Sequence, residues 1–452
     1  MISRVPPIMF LYPLWIILVG ACCTYCVGKA TRNRLAVRLT ASAFVVSSIV
    51  ILISYSSFTK PVRLGLAGTF VAWELNPLTI FAAMVMGLMV IPFLIYWAPS
   101  DRNQGDYHPV LTLALLALYS AMGTAMAANP FLFMTFFEMA IICIFVMANL
   151  EKKRFGTSGP DYLFYFLPSF FLVVLAGMTL LGSRSPVYNG VMVLMAVLVP
   201  VIFFVRFCLF LTFFSMPRVL GTGNVLSAPL GLSLVLVAGA CAWSRFFGGK
   251  PGSAGVMIAF TVLSMVAAAY VFTRKNLRGL VVQSYVAQTA SVLSLLFLAG
   301  WSRGFAKGDV LLVLVNHVIS GLGMFLCLSG DEGRDRLSDI GLIVFMGLLS
   351  GLVPSVGLIG RVNFFAQAYT LDGGLEIVAL VLFLTYLLLL LCYLKAVRLV
   401  TEGWGGSRVA PMPLEKKASI AILLVYSFAP LFFYGSVVRY FSTLGRFLTP
   451  GP

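Results

Sequence analysis

Residues 129–150 read NPFLFMTFFEMAIICIFVMANL. The run is long enough to cross a bilayer core of about 30 Å as one helix. In its middle stands Glu138, and no other charge occurs between His108 and Glu151. A carboxylate at that depth costs roughly 2.5–3.5 kcal/mol on insertion scales. Such a residue is kept where it faces a water-filled cavity, pairs with a cation or relays protons.

Similar apolar runs recur along all 452 residues, of which 60% are hydrophobic and only 10% charged, with a mean hydropathy of +1.01. Soluble domains carry about 25% charged residues. The chain therefore reads as an all-α integral membrane protein with about fourteen transmembrane helices. The spans fall at 8–28, 39–58, 77–98, 109–128, 130–150, 162–183, 189–216, 225–246, 254–272, 279–300, 310–329, 338–369, 374–397 and 417–441. The first stretch, Ile8–Val27, lacks a small-residue cleavage site and reads as a retained helix rather than a signal peptide.

A net charge of +16 would suit nucleic acid if it were clustered. Here the basic residues are spread over loops and helix ends, so no nucleic-acid partner is expected and the bilayer is. Loops after odd-numbered spans hold more than twice as many Lys and Arg as the others, as in Lys29–Arg38, Lys152–Arg154 and Lys395–Lys417. That asymmetry places them in the cytoplasm or mitochondrial matrix and both termini on the opposite side. The eight cysteines lie in or beside apolar segments, and Cys23-Thr-Tyr-Cys26 is a lone pair that reads as small apolar packing. No metal-ligand, haem, iron–sulfur or nucleotide motif is present, so no cofactor or metal is expected in this chain.

Two spans carry breaks. The seventh runs into Met216-Pro-Arg-Val-Leu-Gly-Thr-Gly-Asn224, and the twelfth contains Gly351-Leu-Val-Pro-Ser-Val-Gly-Leu-Ile-Gly360. Proline removes a helix hydrogen bond and glycine lets the backbone turn. The breaks lie five helices apart, so equivalent elements run in opposite directions. This is the footprint of two inverted five-helix repeats with broken helices lining an ion path, although Pro and Gly are also simply common in membrane helices. The organisation expected is a three-helix segment over 1–100, a first repeat over 101–248, a second over 249–400, and a final loop and helix over 401–452.

Arg206 has at least nine uncharged residues on each side, which strains any escape to the interface and marks Glu138 as its counterion. A structural salt bridge would satisfy the same pair. Arg361 follows the twelfth-span break, and His317 lies mid-span in VLLVLVNHVISGLGMFL. Histidine titrates near neutral pH and passes protons in either direction, though a hydrogen-bonded core histidine is the plainer reading. Glu138, Arg206, His317 and Arg361 together form a row of ionisable groups suited to a proton or cation path.

These residues resemble a family, the antiporter-like membrane subunits of respiratory complex I, most of all the chain 4 type of NADH–ubiquinone oxidoreductase. The similar segments are Asn76-Pro-Leu-Thr79, Phe136-Phe-Glu138, Asp161-Tyr-Leu-Phe-Tyr165, and Arg206 eleven residues before Pro217-Arg218. Leu277-Arg-Gly-Leu280 with Gln283-Ser284, Asn316-His-Val-Ile-Ser-Gly321 and Val353-Pro354-Ser-Val-Gly-Leu-Ile-Gly360 continue the order. The resemblance covers about residues 70–400. It implies a proton-translocating subunit of NADH:ubiquinone reductase with no redox chemistry of its own. NADH, FMN, iron–sulfur clusters and ubiquinone would then belong to partner subunits. The partners are the other membrane-arm subunits, in the mitochondrial inner membrane or a bacterial plasma membrane. A cation/proton antiporter subunit, a membrane-bound hydrogenase subunit, a non-pumping structural subunit and a solo transporter are the alternatives.

Three positions depart from the family pattern. Its seventh-helix lysine is Arg206 here, its eighth-helix lysine falls at Val237, and the twelfth-helix glutamate of the chain 4 type falls at Arg361. Arginine effectively never deprotonates, so a relay here rests on Glu138, His317, hydroxyls and water, with the arginines as fixed charges.

Overall fold

The computed structural model describes residues 7–31, 33–56, 61–66, 71–97, 107–152, 226–247, 253–301, 307–329, 335–368, 374–402 and 412–447. Arg206, the sixth and seventh spans and the break at 216–224 lie outside these residues. The described chain is almost wholly helical, and it contains eight helices long and apolar enough to cross a membrane, or nine if one bent pair is a single span. The protein is a multi-pass membrane protein. In a bilayer only helices and closed barrels satisfy their own backbone groups, which is why so apolar a sequence folds this way. Two compact units divide it: one is Met1–Phe203 with Leu230–Phe246, the other Phe204–Pro229 with Phe247–Pro452.

The first unit contains α1 (Tyr12–Thr31), α2 (Arg34–Tyr55), α3 (Pro77–Tyr96), α4 (Tyr107–Met126), α5 (Pro130–Lys152) and most of α6 (Ser227–Phe247). The α1, α2 and α4 helices pack mutually, α3 lies against α2 and α4, and α5 packs along α4. Gly123 on α4 lets the Phe136 ring of α5 approach where any side chain would collide, and Tyr119 meets the same ring edge-on at 5.5 Å. Between α2 and α3 the chain forms a hairpin that helical periodicity does not foresee. Strands β1 (Val62–Leu66) and β2 (Val71–Leu75) pair antiparallel, with an Arg63–Glu74 ion pair at 2.9 Å. The motif Asn76-Pro-Leu-Thr79 then starts α3 for a local reason. Asn76 caps the helix, Pro77 sits where no N–H is needed, and Thr79 returns a bond to the Asn76 backbone, closing a capping box.

The second unit contains α7 (Ser253–Val271), α8 (Leu277–Trp301), α9 (Lys307–Leu328), α10 (Arg336–Ser350), α11 (Val356–Ala368), α12 (Leu375–Glu402), α13 (Leu414–Phe432) and α14 (Tyr434–Gly445). Its centre is α9, which packs on α8, α10, α11, α13 and α14. The α8 and α9 helices are enclosed over nearly their whole length, whereas α7 and α12 turn rows such as Ile258, Val262 and Met265, or Leu380, Leu384 and Leu391, outward. The outward rows suit lipid or neighbouring subunits, and the enclosed helices are the ones that carry polar groups.

The expected last span, 417–441, is bent within its length. Helix α13 ends at Phe432, where Pro430 removes a hydrogen bond, and α14 leaves at 94°. It lies across the start of α9, with the Phe441 backbone and Gly445 against Gly308. In the region expected as span 338–369, α10 stops at Ser350, Gly351 adopts the left-handed conformation (φ 77°), and α11 begins at Val356. Glycine takes that conformation without the clash that costs other residues roughly 1–2 kcal/mol. At about 1.5 Å per residue, neither half alone crosses the bilayer core.

A candidate ion-path site

Three of the four expected site residues are described, and the structure places them in different units. Glu138 lies on α5 in the first unit, buried at 6% exposure. Its expected counterion, Arg206, is outside the described residues. Val237 on α6 is a core side chain, buried at 2% exposure.

His317 and Arg361 both belong to the second unit and are linked through α8. His317 is fully buried (0%) on α9, and its ring stacks on Tyr285 of α8 with centroids 4.6 Å apart and planes 8° from parallel. Phe325 meets that tyrosine edge-on at 5.2 Å and 90°. The stack is possible because Gly321 presents no side chain to the Tyr285 ring. The Thr289 hydroxyl lies 3.0 Å from His317 Nε2 and donates its one proton to the Tyr285 carbonyl at 2.9 Å. The bond therefore runs from Nε2–H to the hydroxyl oxygen, an assignment that follows from the network. Nδ1 is left as an acceptor with no hydrogen-bond partner among the described residues.

One residue before Thr289, Gln288 Oε1 accepts from Arg361 Nη2 at 3.1 Å. Arg361 is 5% exposed, and its guanidinium also sits 4.5 Å from the ring centre of Tyr386 on α12, a cation–π contact. Consecutive α8 residues thus hold the arginine on one side and the histidine on the other. The α10–α11 break lies beside them. Asn316, next to His317, donates from Nδ2 to the Leu348 carbonyl in the last turn of α10 at 3.0 Å, and Gly357 of α11 packs directly on the same side chain. A helix that stops inside a membrane leaves carbonyls to be satisfied, and Asn316 supplies one donor.

Motif reasoning named His317 and Arg361 and missed Gln288, Thr289, Tyr285 and Tyr386. The available signal was the spacing of Gln283, Ser284, Gln288, Thr289, Ser291 and Ser294, six buried polar residues on one apolar helix. Asp309 and Lys416 were missed as well. Asp309, buried in the first turn of α9, accepts from Asn363 Nδ2 at 3.2 Å. Lys416 of α13 donates to the Ser329 and Cys327 carbonyls at the other end. Acid at the N-terminus and base at the C-terminus both complement the α9 dipole. Among the described residues no cluster of His, Cys, Asp or Glu is arranged to hold a metal.

No family model matches the sequence, and no curated protein does. Solved structures do match. A chain of respiratory complex I from Thermus thermophilus superimposes with a TM-score of 0.69 at 17% identity, over 97% of this chain and 100% of that one. The two chains share a fold over their whole length. A chain of the Mrp complex from a Dietzia species aligns at a TM-score of 0.72 and 12% identity, covering 96% of each. A chain of the membrane-bound sulfane sulfur reductase, an archaeal respiratory membrane complex, aligns at 0.70 and 14%, over 92% of this chain and 75% of that one.

Proposed function

We propose that this chain is a proton-translocating membrane-arm subunit of a respiratory complex of the NADH:ubiquinone oxidoreductase kind, most similar to the chain 4 type. The observation that carries the reading is the buried Arg361–Gln288 and Thr289–His317–Tyr285 arrangement beside the α10–α11 break, inside a fold shared end to end with a complex I chain. His317 is the group that gains and loses a proton. Arg361 is a permanent charge that sets the potential around it and passes on no proton. Glu138 is the corresponding acid of the first unit, with Arg206 as its expected cation.

Redox chemistry belongs to companion subunits in this reading, and NADH, FMN, iron–sulfur clusters and ubiquinone are assigned to them. Driving ion movement here requires two states whose relative energy a distant event shifts. The membrane is the mitochondrial inner membrane or its bacterial counterpart. A subunit of a cation/proton antiporter is the second reading, favoured by the likeness to the Mrp chain over nearly its full length.

Mild-detergent native purification with mass spectrometry of the companions separates the two. NADH-oxidising and quinone-site subunits support the first, and antiporter subunits alone support the second. Within the first reading, Glu138→Gln is expected to lower the protons moved per electron pair while the assembly forms. Unchanged stoichiometry in that variant removes Glu138 from the path.

A further inference from the structure

We propose that the adjoining ends of α7 and α12 hold the headgroup of an anionic phospholipid, with its acyl chains along the outward faces of the two helices. Arg274 and Lys275 follow the end of α7, and Lys395 and Arg398 stand in the last two turns of α12. Lys395 Nζ joins the two ends. It donates to the Phe272 carbonyl at 3.0 Å and to the Arg274 carbonyl at 2.9 Å, acceptors that the end of α7 leaves over. Those acceptors are neutral, so the ammonium charge stays uncompensated. The Arg274 guanidinium lies 4.5 Å from the ring centre of Tyr270. Among the described residues Arg398 pairs with Glu402 at 2.7 Å, whereas Arg274, Lys275 and Lys395 make no ion pair. The sequence gives the reason. No Asp or Glu occurs from Ser253 to Gly308, or from Ile377 to Thr401. Three cations brought together by one set of hydrogen bonds repel one another, and an anion from outside the chain relieves them.

The surface leading to these cations selects the anion. Val262, Val266 and Tyr270 recur every four residues on α7 and are exposed, and Arg274 follows at the same interval. On α12, Leu391 and Leu394 are exposed, and each is followed four residues later by a cation, Lys395 or Arg398. The apolar rows thus run straight into the charge. A soluble anion would meet the cations and leave the rows uncovered. A phospholipid covers both, its phosphate against the ammonium and guanidinium groups and its chains along the rows. Tyr270, exposed beneath the Arg274 guanidinium, is the kind of amphipathic ring that sits at headgroup depth. Loop charge assigns both helix ends to the positive-inside face, where basic clusters meet anionic lipid.

The test uses the purified intact assembly in phosphatidylcholine liposomes doped with a photoreactive lipid that carries a diazirine in one acyl chain. The probe is offered either as phosphatidylglycerol or as phosphatidylcholine, and labelled peptides of α7 and α12 are counted by mass spectrometry. In wild type the phosphatidylglycerol probe is expected to label these faces preferentially. In Arg274→Gln/Lys275→Gln that preference is expected to fall about fivefold for each cation removed, the scale of about 1 kcal/mol per basic residue at an anionic surface. Lys275→Gln alone, at an exposed side chain, gives the same reading if the double variant does not assemble. Equal labelling by the two probes in wild type overturns the proposal, as does an unchanged preference in the variants. Loss of the preference in the presence of inorganic phosphate overturns the lipid in favour of a soluble anion. Absence of label from both probes overturns it in favour of a neighbouring subunit covering these faces. None of these readings involves transport, so the outcome is separate from the function proposed above.

Discussion

Replacing Thr289 with Val tests whether His317 is held by a specific bond or merely enclosed. Val has nearly the shape of Thr, so packing changes little and the 3.0 Å contact to Nε2 is lost. Both partners are fully buried, and the imidazole N–H is left without an acceptor. Such a group costs about 1–3 kcal/mol. For a body of roughly 200 residues, a loss of 2 kcal/mol lowers the unfolding midpoint by roughly 4–8 °C. Adding His317→Leu removes the stranded N–H, so the double variant is expected to regain most of the loss.

A local readout is available on the same helix. Cys327 of α9 is a buried free thiol, whereas Cys22 and Cys26 are exposed. Alkylation of Cys327 during a temperature ramp, counted by mass spectrometry, reports the opening of α9. If the effects of the two substitutions simply add, with a coupling below about 0.5 kcal/mol, the bond is not what orients the imidazole.

Gly321→Ala places a methyl group into the Tyr285 ring and is expected to break its stack on His317, costing about 1–3 kcal/mol as overpacking does; Cys327 alkylation at lower temperature checks it. Gly351→Ala forces a left-handed alanine, costing roughly 1–2 kcal/mol, and crowds Arg361 Nη1; the same ramp reads it.

The bilayer made most of the fold legible. A segment that must satisfy its own backbone hydrogen bonds declares itself by length and apolarity, so α1 to α9 and α12 fall near the expected spans. Two features resisted that reading for physical reasons. The hairpin 62–75 is extramembrane, where period-two pairing rather than apolar length decides. The bend at Phe433 is set by Pro430 and by the seat that Gly308 offers to α14, a contact between segments more than 100 residues apart.

At the site, the ionisable residues stood out because charge is rare in such a sequence. Their partners did not, since Gln288 and Thr289 are neutral residues whose importance lies in what they face. The pairing of Arg361 with Gln288 spans 73 positions, and no local spacing encodes it.

Asn316 touches both sides of the α10–α11 break with a single carboxamide. Its Nδ2 holds the Leu348 carbonyl of α10, and its side chain carries the backbone of α11 at Gly357. Any hinge motion between the two halves must stretch that bond or part that contact. The side chain is thus a strain gauge placed by the fold. An isotope-edited vibrational or NMR signal from its amide would register the angle of the break during turnover, without a foreign label in the membrane.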